Sequence, residues 1–369
     1  MIIGIPKEIK THEYRVGLTP LGAKTLIASG HQIIVQSCAG EVIGFTDQQY
    51  QQVGATIVDS ADKVFDQAQM IVKVKEPQPN ECKMLSKGQI IFTYLHLASD
   101  PEQTQLLIES GAICIAYETV TDDEGRLPLL KPMSEIAGRM SIQSGAHHLE
   151  NTQGGSGVLL SGATGVDPAQ VLVLGGGVVG MNAAKVAVGM GTDVTILNRS
   201  ISERLVKFQK KHLSQLSIDL STQANIEQHL SSTDLVIGAV LIAGALAPKL
   251  ITRDMLKLMK KGSVLVDVSI DQGGCFETST VTTHDKPTYV VDDIIHYCVS
   301  NMPGAVAHTA TLALTNATLP YVIELANKGA QQAIFDNSNL LNGVNIFQGK
   351  VTHQAVAESL DYQHSSVSF

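Results

Sequence analysis

Tryptophan is absent from this chain of 369 residues, and aromatic side chains make up only 4% of it. The interior must therefore be built from aliphatic side chains, and a hydrophobic content of 44% with 32 glycines fits a well-packed α/β protein. Runs of six like charges are missing, which leaves out acidic or basic tails. With a formal net charge of −9 there is no basic field to draw in nucleic acid or an anionic membrane. Cysteine is sparse: Cys38, Cys82, Cys114, Cys275 and Cys298 are widely spaced, with no C-x-x-C pair. An odd, scattered set reads as reduced thiols in a cytoplasmic protein. Long apolar runs are lacking too, since VIGAVLIAGALAP is too short and too glycine-rich to span a bilayer. The first residues, MIIGIPKEIK, carry charge at once and do not read as a signal peptide. The expectation is a soluble, intracellular protein of two domains.

What is there is alternation. IIGI (2–5), QIIVQ (32–36), ATIVD (55–59), MIVKVK (70–75), IIFTYLHL (90–97) and AICIAYE (112–118) read as strands. Helical segments lie between them, such as TPLGAKTLIASG with Thr19 as N-cap and Pro20 as first helical residue. RLPLLKPM (126–133) reads as a linker and SEIAGRMSIQSGAHHLE (134–150) as a long helix. A second series follows: VLVL (171–174), DVTIL (193–197), DLVIGAVL (234–241), SVLVDVSI (263–270) and TYVVDD (288–293). From about residue 308 the pattern is helical, with no strong strand expected after it. Strands alternating with helices predict parallel sheets with crossovers.

The run VLVLGGGVVG (171–180) breaks from a strand into glycines. Gly175, Gly177 and Gly180 have G-x-G-x-x-G spacing between a strand and a helical segment, the order a dinucleotide site needs. The helix start offers N–H groups and a positive dipole end to a pyrophosphate. The following strand ends at TILNRS, where an acid would accept from the ribose 2′-OH. Asn198 stands there instead, followed by Arg199 and Ser200, a pair suited to a 2′-phosphate. NAD against NADP stays open at this point.

Three basic residues of the first half stand at strand ends, where open α/β sheets gather ligands: Arg15 just after the first strand, Lys75 closing MIVKVK and His96 ending IIFTYLHL. Arg15 and Lys75 together suit a small carboxylate, and His96 suits proton transfer. Each has a plainer alternative. Arg15 can pair with Glu13 or a surface acid, Lys73 and Lys75 can share a solvated edge, and His96 can be structural. His147 and His148 read as surface or packing residues, with no cysteine or second histidine cluster to suggest a metal. In SVLVDVSIDQGGCFE, Asp271 is the candidate at the strand end and Asp267 reads as a structural acid. Asn301 and Met302 precede Pro303 in a loop, where they can orient a carboxamide or substrate amine and pack a ring, or merely stabilise the loop.

These strings resemble a family. KEIKTHEYRVGLTP, VKVKEP, YLHLA, GGGVVGMNAAK, DLVIGAVLIAGALAPKL, VDVSIDQGGCFE, YCVSNMPGAV and ALTNATLPYV look like bacterial alanine dehydrogenase, within the wider alanine dehydrogenase/transhydrogenase α-subunit family. The resemblance covers nearly the whole chain. It implies two Rossmann-like, doubly wound parallel-sheet domains with a cleft between them. The substrate domain would comprise 1–128 plus 307–369 and the dinucleotide domain 129–306. It implies reversible NAD-linked oxidative deamination of L-alanine to pyruvate and ammonium. The carboxylate clamp falls on Arg15 and Lys75, with Asn301 beside the substrate, and proton transfer falls on His96 and Asp271. Besides the three glycines and Arg199, nucleotide contacts fall on Ser134, Val178, Val179, Asn198, Ser221, Val240, Leu241 and Val268. They continue through Ser269, Ile270, Asp271, Val299, Ser300, Asn301 and Met302. The family usually has an acid where Asn198 stands, so cofactor preference is the point of departure. A homohexamer is implied by the resemblance alone.

Three rival readings differ in what they need. A transhydrogenase-like NAD(H)-binding module needs no amino-acid pocket, and Lys75 with His96 weighs against it. A dehydrogenase of lysine or saccharopine needs an acceptor for a distant amine or carboxylate, and none is evident. A redox-sensing, DNA-binding protein needs a basic patch that the chain lacks.

Overall fold

The computed structural model describes residues 1–212, 214–240 and 246–368. Its strands, in chain order, are β1 (Ile2–Ile5), β2 (Gln32–Gln36), β3 (Thr56–Val58), β4 (Met70–Val72), β5 (Ile90–Thr93), β6 (Ile113–Ala116), β7 (Gln170–Leu174), β8 (Asp193–Asn198), β9 (Leu216–Leu220), β10 (Leu235–Gly238), β11 (Val264–Asp267), β12 (Thr288–Val291), β13 (Ile294–Tyr297), β14 (Val344–Phe347) and β15 (Lys350–Val351). The chain divides into two compact units, Met1–Met133 with Val306–Phe369, and Ser134–Ala305.

The first unit is built on a sheet of order β15-β14-β6-β5-β4-β1-β2-β3. From β3 to β6 every pairing is parallel, whereas β14 runs antiparallel to β6 and closes the edge with β15. The parallel part has the doubly wound order 3-2-1-4-5-6, and the winding reverses between β1 and β4. The second unit repeats this plan. Its parallel strands run β9-β8-β7-β10-β11-β13, with β12 antiparallel at the edge, and reverse between β7 and β10. Crossover helices cover both faces of such sheets, so the central strands lose their polar alternation. Accordingly β5, β6, β10 and β11 are buried along their whole lengths. Each fully buried Val, Leu or Ile contributes about 1.5–3 kcal/mol, which makes these runs the main source of stability.

Local signals set the helix starts. Thr19 accepts from Gly22 N–H at 3.1 Å, and Pro20 opens the helix Pro20–Ala28. Thr46 and Gln49 form a reciprocal capping box on Asp47–Gln52.

Several expectations are corrected. The long helix begins at Lys131, inside the expected linker, and runs to His148. The strand expected over 70–75 stops at Val72, because the chain turns there to bury Lys73. The region after residue 308 does contain strands, β14 and β15, and LSIDL and IIHY form β9 and β13. Within the first unit the helix Ala307–Lys328 meets the segment after β1, where Val16 N–H donates to Thr311 Oγ1 at 3.3 Å. None of the described helices is long and apolar enough to cross a membrane.

Candidate active site

In open α/β sheets, ligands gather beyond the carboxyl ends of the strands where the winding reverses. For the first unit that is the end of β1 and β4, and the segments leaving those two strands carry Arg15 and Lys75. Gly17 brings the segments together: a Cβ on it would lie 2.4 Å from Val72 O, so only glycine permits the approach.

Arg15 is 2% exposed. Its Nε donates to Glu13 Oε1 at 2.7 Å, its Nη2 to Glu13 Oε2 at 2.6 Å, and its backbone N–H to Oε1 at 3.0 Å. Nη1 also lies 3.1 Å from Met133 Sδ. Arg15 therefore does pair with Glu13, but inside the protein rather than at its surface. Burial opposes the guanidinium charge, yet the Glu13 bonds outweigh it and hold the Arg15 pKa above its ordinary value. Glu13 is pushed up by burial and pulled further down by Arg15, so its pKa is lowered.

Lys75 is partly buried and has the opposite balance. Burial lowers its pKa and the nearby Arg15 guanidinium lowers it further. A cation destabilised by burial and by a second cation is a place where an anion is welcome.

Lys73 does not form a solvated edge with Lys75. It is 1% exposed, donating to Glu8 Oε2 at 3.1 Å and Glu81 Oε1 at 2.7 Å. Burial works against its charge, but the two carboxylates raise its pKa and keep it protonated. Glu8 Oε1 also accepts from Val74 N–H at 2.7 Å and Lys75 N–H at 3.3 Å. One carboxylate thus fixes the backbone from which Lys75 projects.

His96 lies three residues past β5 in the left-handed backbone region, with φ at 53°. A non-glycine residue there stores strain of order 1–2 kcal/mol. Glu118 holds the turn, accepting from Leu95 N–H at 3.1 Å and His96 N–H at 2.6 Å. The imidazole Nδ1 lies 3.8 Å from Glu118 Oε1. The ring also stacks on Tyr94, with centroids 5.9 Å apart and planes 8° apart. Tyr94 is itself anchored, donating to Leu129 O at 2.7 Å. The result is a half-exposed imidazole with Glu118 and Tyr94 as neighbours.

In the second unit the reversal falls between β7 and β10, and the glycine run leaves β7. Gly175 has φ of 106°, and a Cβ there would lie 2.5 Å from Ala239 O, the residue after β10. A Cβ on Gly180 would lie 1.8 Å from Gly175 O, so the turn closes only with glycine. Gly177 differs, for a Cβ there meets nothing within 4 Å. Its smallness serves no internal contact. It caps the helix Val178–Gly189, which has no side-chain cap bond on its first N–H groups. An open glycine at a helix start with no side-chain cap bond fits the pyrophosphate of a dinucleotide.

The other expected nucleotide residues fall around this turn. Asn198 ends β8, accepts from Gly176 N–H at 2.8 Å and donates to Ser200 O at 2.7 Å. Its backbone carbonyl accepts from Ser221 N–H at 2.9 Å. Arg199 and Ser200 are exposed. Ser134 lies one turn before Gly138, whose Cβ would meet Val179 O at 2.2 Å, so its helix packs against the start of Val178–Gly189. Val268 N–H donates to Gly238 O at 2.9 Å and Ser269 Oγ to Val240 O at 2.7 Å. Leu241 lies outside the described residues.

Asp271 is not at a strand end. β11 ends at Asp267, and Asp271 stands exposed on the short turn Ile270–Gln272. Asp267 is fully buried and accepts from Ser269, Cys275 and Phe276 N–H. Val299 is buried, Ser300 exposed, and Asn301 O accepts from His284 Nε2 at 2.8 Å. Met302 is buried at the start of the turn Met302–Val306. His148 packs against Tyr297, with ring centroids 5.4 Å apart, whereas His147 faces Glu150. Among the described residues, no group of three His, Cys, Asp or Glu side chains is placed to hold a metal.

Reading the sequence did not single out Glu8, Glu81, Tyr94 or Glu118. No local spacing marks them, because each acts on a segment brought to it by the fold.

Comparison with known proteins covers both units. The alanine dehydrogenase/PNT N-terminal domain matches residues 4–137 and the C-terminal domain matches 141–354. An alanine dehydrogenase of Halomonas elongata is 56% identical over 364 residues, covering 99% of this chain and 98% of that protein. One of Bacillus subtilis is 51% identical over 366 residues, covering 99% and 96%. A solved L-alanine dehydrogenase superposes with a TM-score of 0.95 at 48% identity, covering 98% of this chain and 99% of the other. A transhydrogenase from Sinorhizobium meliloti shares the fold, with a TM-score of 0.81 at 22% identity over 96% of this chain and 100% of the other.

Proposed function

The chain belongs to the alanine dehydrogenase/PNT family, and on that premise we propose how its residues carry out the reversible oxidative deamination of L-alanine to pyruvate and ammonium. It is an NAD-dependent amino-acid dehydrogenase acting on a CH–NH2 donor. The first unit serves as the substrate domain and the second as the dinucleotide domain. Arg15 and Lys75 bind the substrate carboxylate. The observation that carries this reading is geometric: buried Arg15 and partly buried Lys75 stand on the segments leaving β1 and β4 at the winding reversal, drawn together where Gly17 meets Val72 O.

A bound nicotinamide would supply the acceptor for the hydride that leaves alanine Cα. Arg15 and Lys75 keep the carboxylate oriented through that step, and Asn301 is the further substrate-binding residue. Water then adds to the imine carbon. His96 takes a proton from that water, and Asp271 serves as the second proton-transfer group as ammonia leaves. The positive clamp also stabilises the alkoxide character of the carbinolamine oxygen. The glycine turn Gly175–Gly180, with Val178 and Val179, would cradle the pyrophosphate. Ser134, Ser221, Val240, Val268, Ser269, Ile270 and Val299 to Met302 would line the rest of the nucleotide.

Asn198 brings no negative charge to the ribose end, and its amide is committed to Gly176 and Ser200. Exposed Arg199 and Ser200 lie beside it. We infer that NADP(H) is accepted alongside NAD(H). Five free cysteines support a reducing cytoplasmic location, and the family resemblance supports a homohexamer, which light scattering would test. The function is tested by initial rates with pyruvate and ammonium, using NADH and NADPH in parallel. Oxidation of NADH with slower but measurable oxidation of NADPH is expected. No oxidation of either contradicts the function, and an inert NADPH contradicts the dual use.

A further inference from the structure

The carbonyls of the segment following Asp271 converge on a single ammonium. Lys249 Nζ donates to Gly273 O at 2.5 Å, Gly274 O at 2.9 Å and Phe276 O at 3.1 Å. An ammonium has three donors, and all three are used on backbone oxygens. Two N–H groups of the same segment are held by a carboxylate. Cys275 N–H and Phe276 N–H donate to Asp267 Oδ2 at 2.8 and 3.4 Å, and Ser279 Oγ joins them at 2.5 Å. The segment is thus tied both to a buried carboxylate, through the N–H groups of Cys275 and Phe276, and to an ammonium, through the carbonyls of Gly273, Gly274 and Phe276.

The backbone is shaped for this. Gly273 and Gly274 have φ of 84° and 75°, a region that favours glycine, and a Cβ on Gly274 would lie 2.7 Å from Asp267 Oδ2. Lys249 sits in a strip that is itself laced to the segment. Ala247 N–H donates to Gln272 O at 2.9 Å and Leu250 N–H to Cys275 O at 2.7 Å. Charge-assisted bonds of this kind are about twice as strong as neutral ones. Three on one side and a carboxylate on the other leave the turn Ile270–Gln272, and the Asp271 it carries, little freedom.

We propose that Lys249 is a positioning residue for Asp271, its ammonium acting as a built-in monovalent cation that organises the 272–276 segment. It touches neither substrate nor cofactor, and its effect reaches the reaction through the orientation of the Asp271 carboxyl group. The proposal rests on the reading of Asp271 as a proton-transfer group.

The test is alanine oxidation with NAD by Lys249→Ala in the full-length protein, with and without propylammonium, which replaces the deleted part of the side chain. Without the amine, kcat falls about 10²-fold, the scale of a misplaced catalytic group, while the NADH dissociation constant stays within about threefold. Propylammonium restores kcat saturably in Lys249→Ala, propanol does not, and neither acts on the Asp271→Asn, Lys249→Ala double variant. Unchanged kcat in Lys249→Ala overturns the proposal. So does a loss that propylammonium fails to restore in a variant that still binds NADH. Asp271→Asn, measured alongside, separates the two readings. Full turnover there removes Asp271 from the mechanism and this proposal with it. Loss in Asp271→Asn beside full turnover in Lys249→Ala removes this proposal alone.

Discussion

Arg15 and Glu13 meet side-on inside the first unit, Nε to Oε1 at 2.7 Å and Nη2 to Oε2 at 2.6 Å. The cation assigned to the substrate is therefore held by a carboxylate of the protein, which fixes its plane and supports its charge before any ligand arrives. Removing Glu13 would strand a buried guanidinium. Glu13→Ala should cost about 3–5 kcal/mol of folding stability, the usual penalty for breaking a buried pair. Urea unfolding measures it, and an unchanged midpoint would contradict the pairing's importance.

Lys75 carries a pH signature. Its pKa is lowered from the ordinary lysine value of 10.5 by burial and by Arg15. The ammonium is present below that depressed pKa, so pyruvate binding should be strong at neutral pH. It should weaken as pH climbs through a point below 10.5. Because the folded-state pKa is the lower one, the protonated group opposes folding below it, and the penalty lifts as pH rises towards the unfolded value. Lys75→Met should therefore be at least as stable as the parent at neutral pH while binding pyruvate poorly. Lys75→Arg should move the alkaline limb of kcat/KM upward, and a limb that stays in place would assign it elsewhere.

The glycines of the turn should separate folding from binding. Gly180→Ala would drive a Cβ to 1.8 Å from Gly175 O and should destabilise the second unit. Gly177→Ala meets no protein atom within 4 Å, so its Tm should match the parent. Its NADH affinity should nonetheless drop, since the added methyl occupies the pyrophosphate approach. NADH fluorescence titration decides this, and unimpaired binding by Gly177→Ala would move the pyrophosphate off the turn.

Asn198→Asp would place a negative charge at the end of β8 while keeping an acceptor for Gly176 N–H. Activity with NADPH should fall by far more than activity with NADH, because the 2′-phosphate is repelled. Equal effects on both would place the ribose elsewhere.

Legibility in the sequence followed locality. The glycine turn and the Thr19–Pro20 helix start are spelled within a few residues, and the structure forms both there. β9 was missed because its pattern is mostly exposed at a sheet edge, whereas β14 is short and buried behind a long helical stretch. Lys73 and Lys75 look alike in MIVKVK, but Glu8 and Glu81, distant or unmarked in sequence, draw Lys73 inside and leave Lys75 for a ligand. Asp271 and Asp267 are four residues apart, and only the end of β11 shows which carboxyl is consumed by backbone N–H groups.

The most direct test of the carboxylate clamp is the pyruvate KM of Lys75→Met at neutral pH with saturating NADH and ammonium. The charged hydrogen bond removed is worth about 1.5–3 kcal/mol, so KM should rise about 10–100-fold. A KM equal to the parent's would show that the carboxylate is held by other groups and would contradict the assignment.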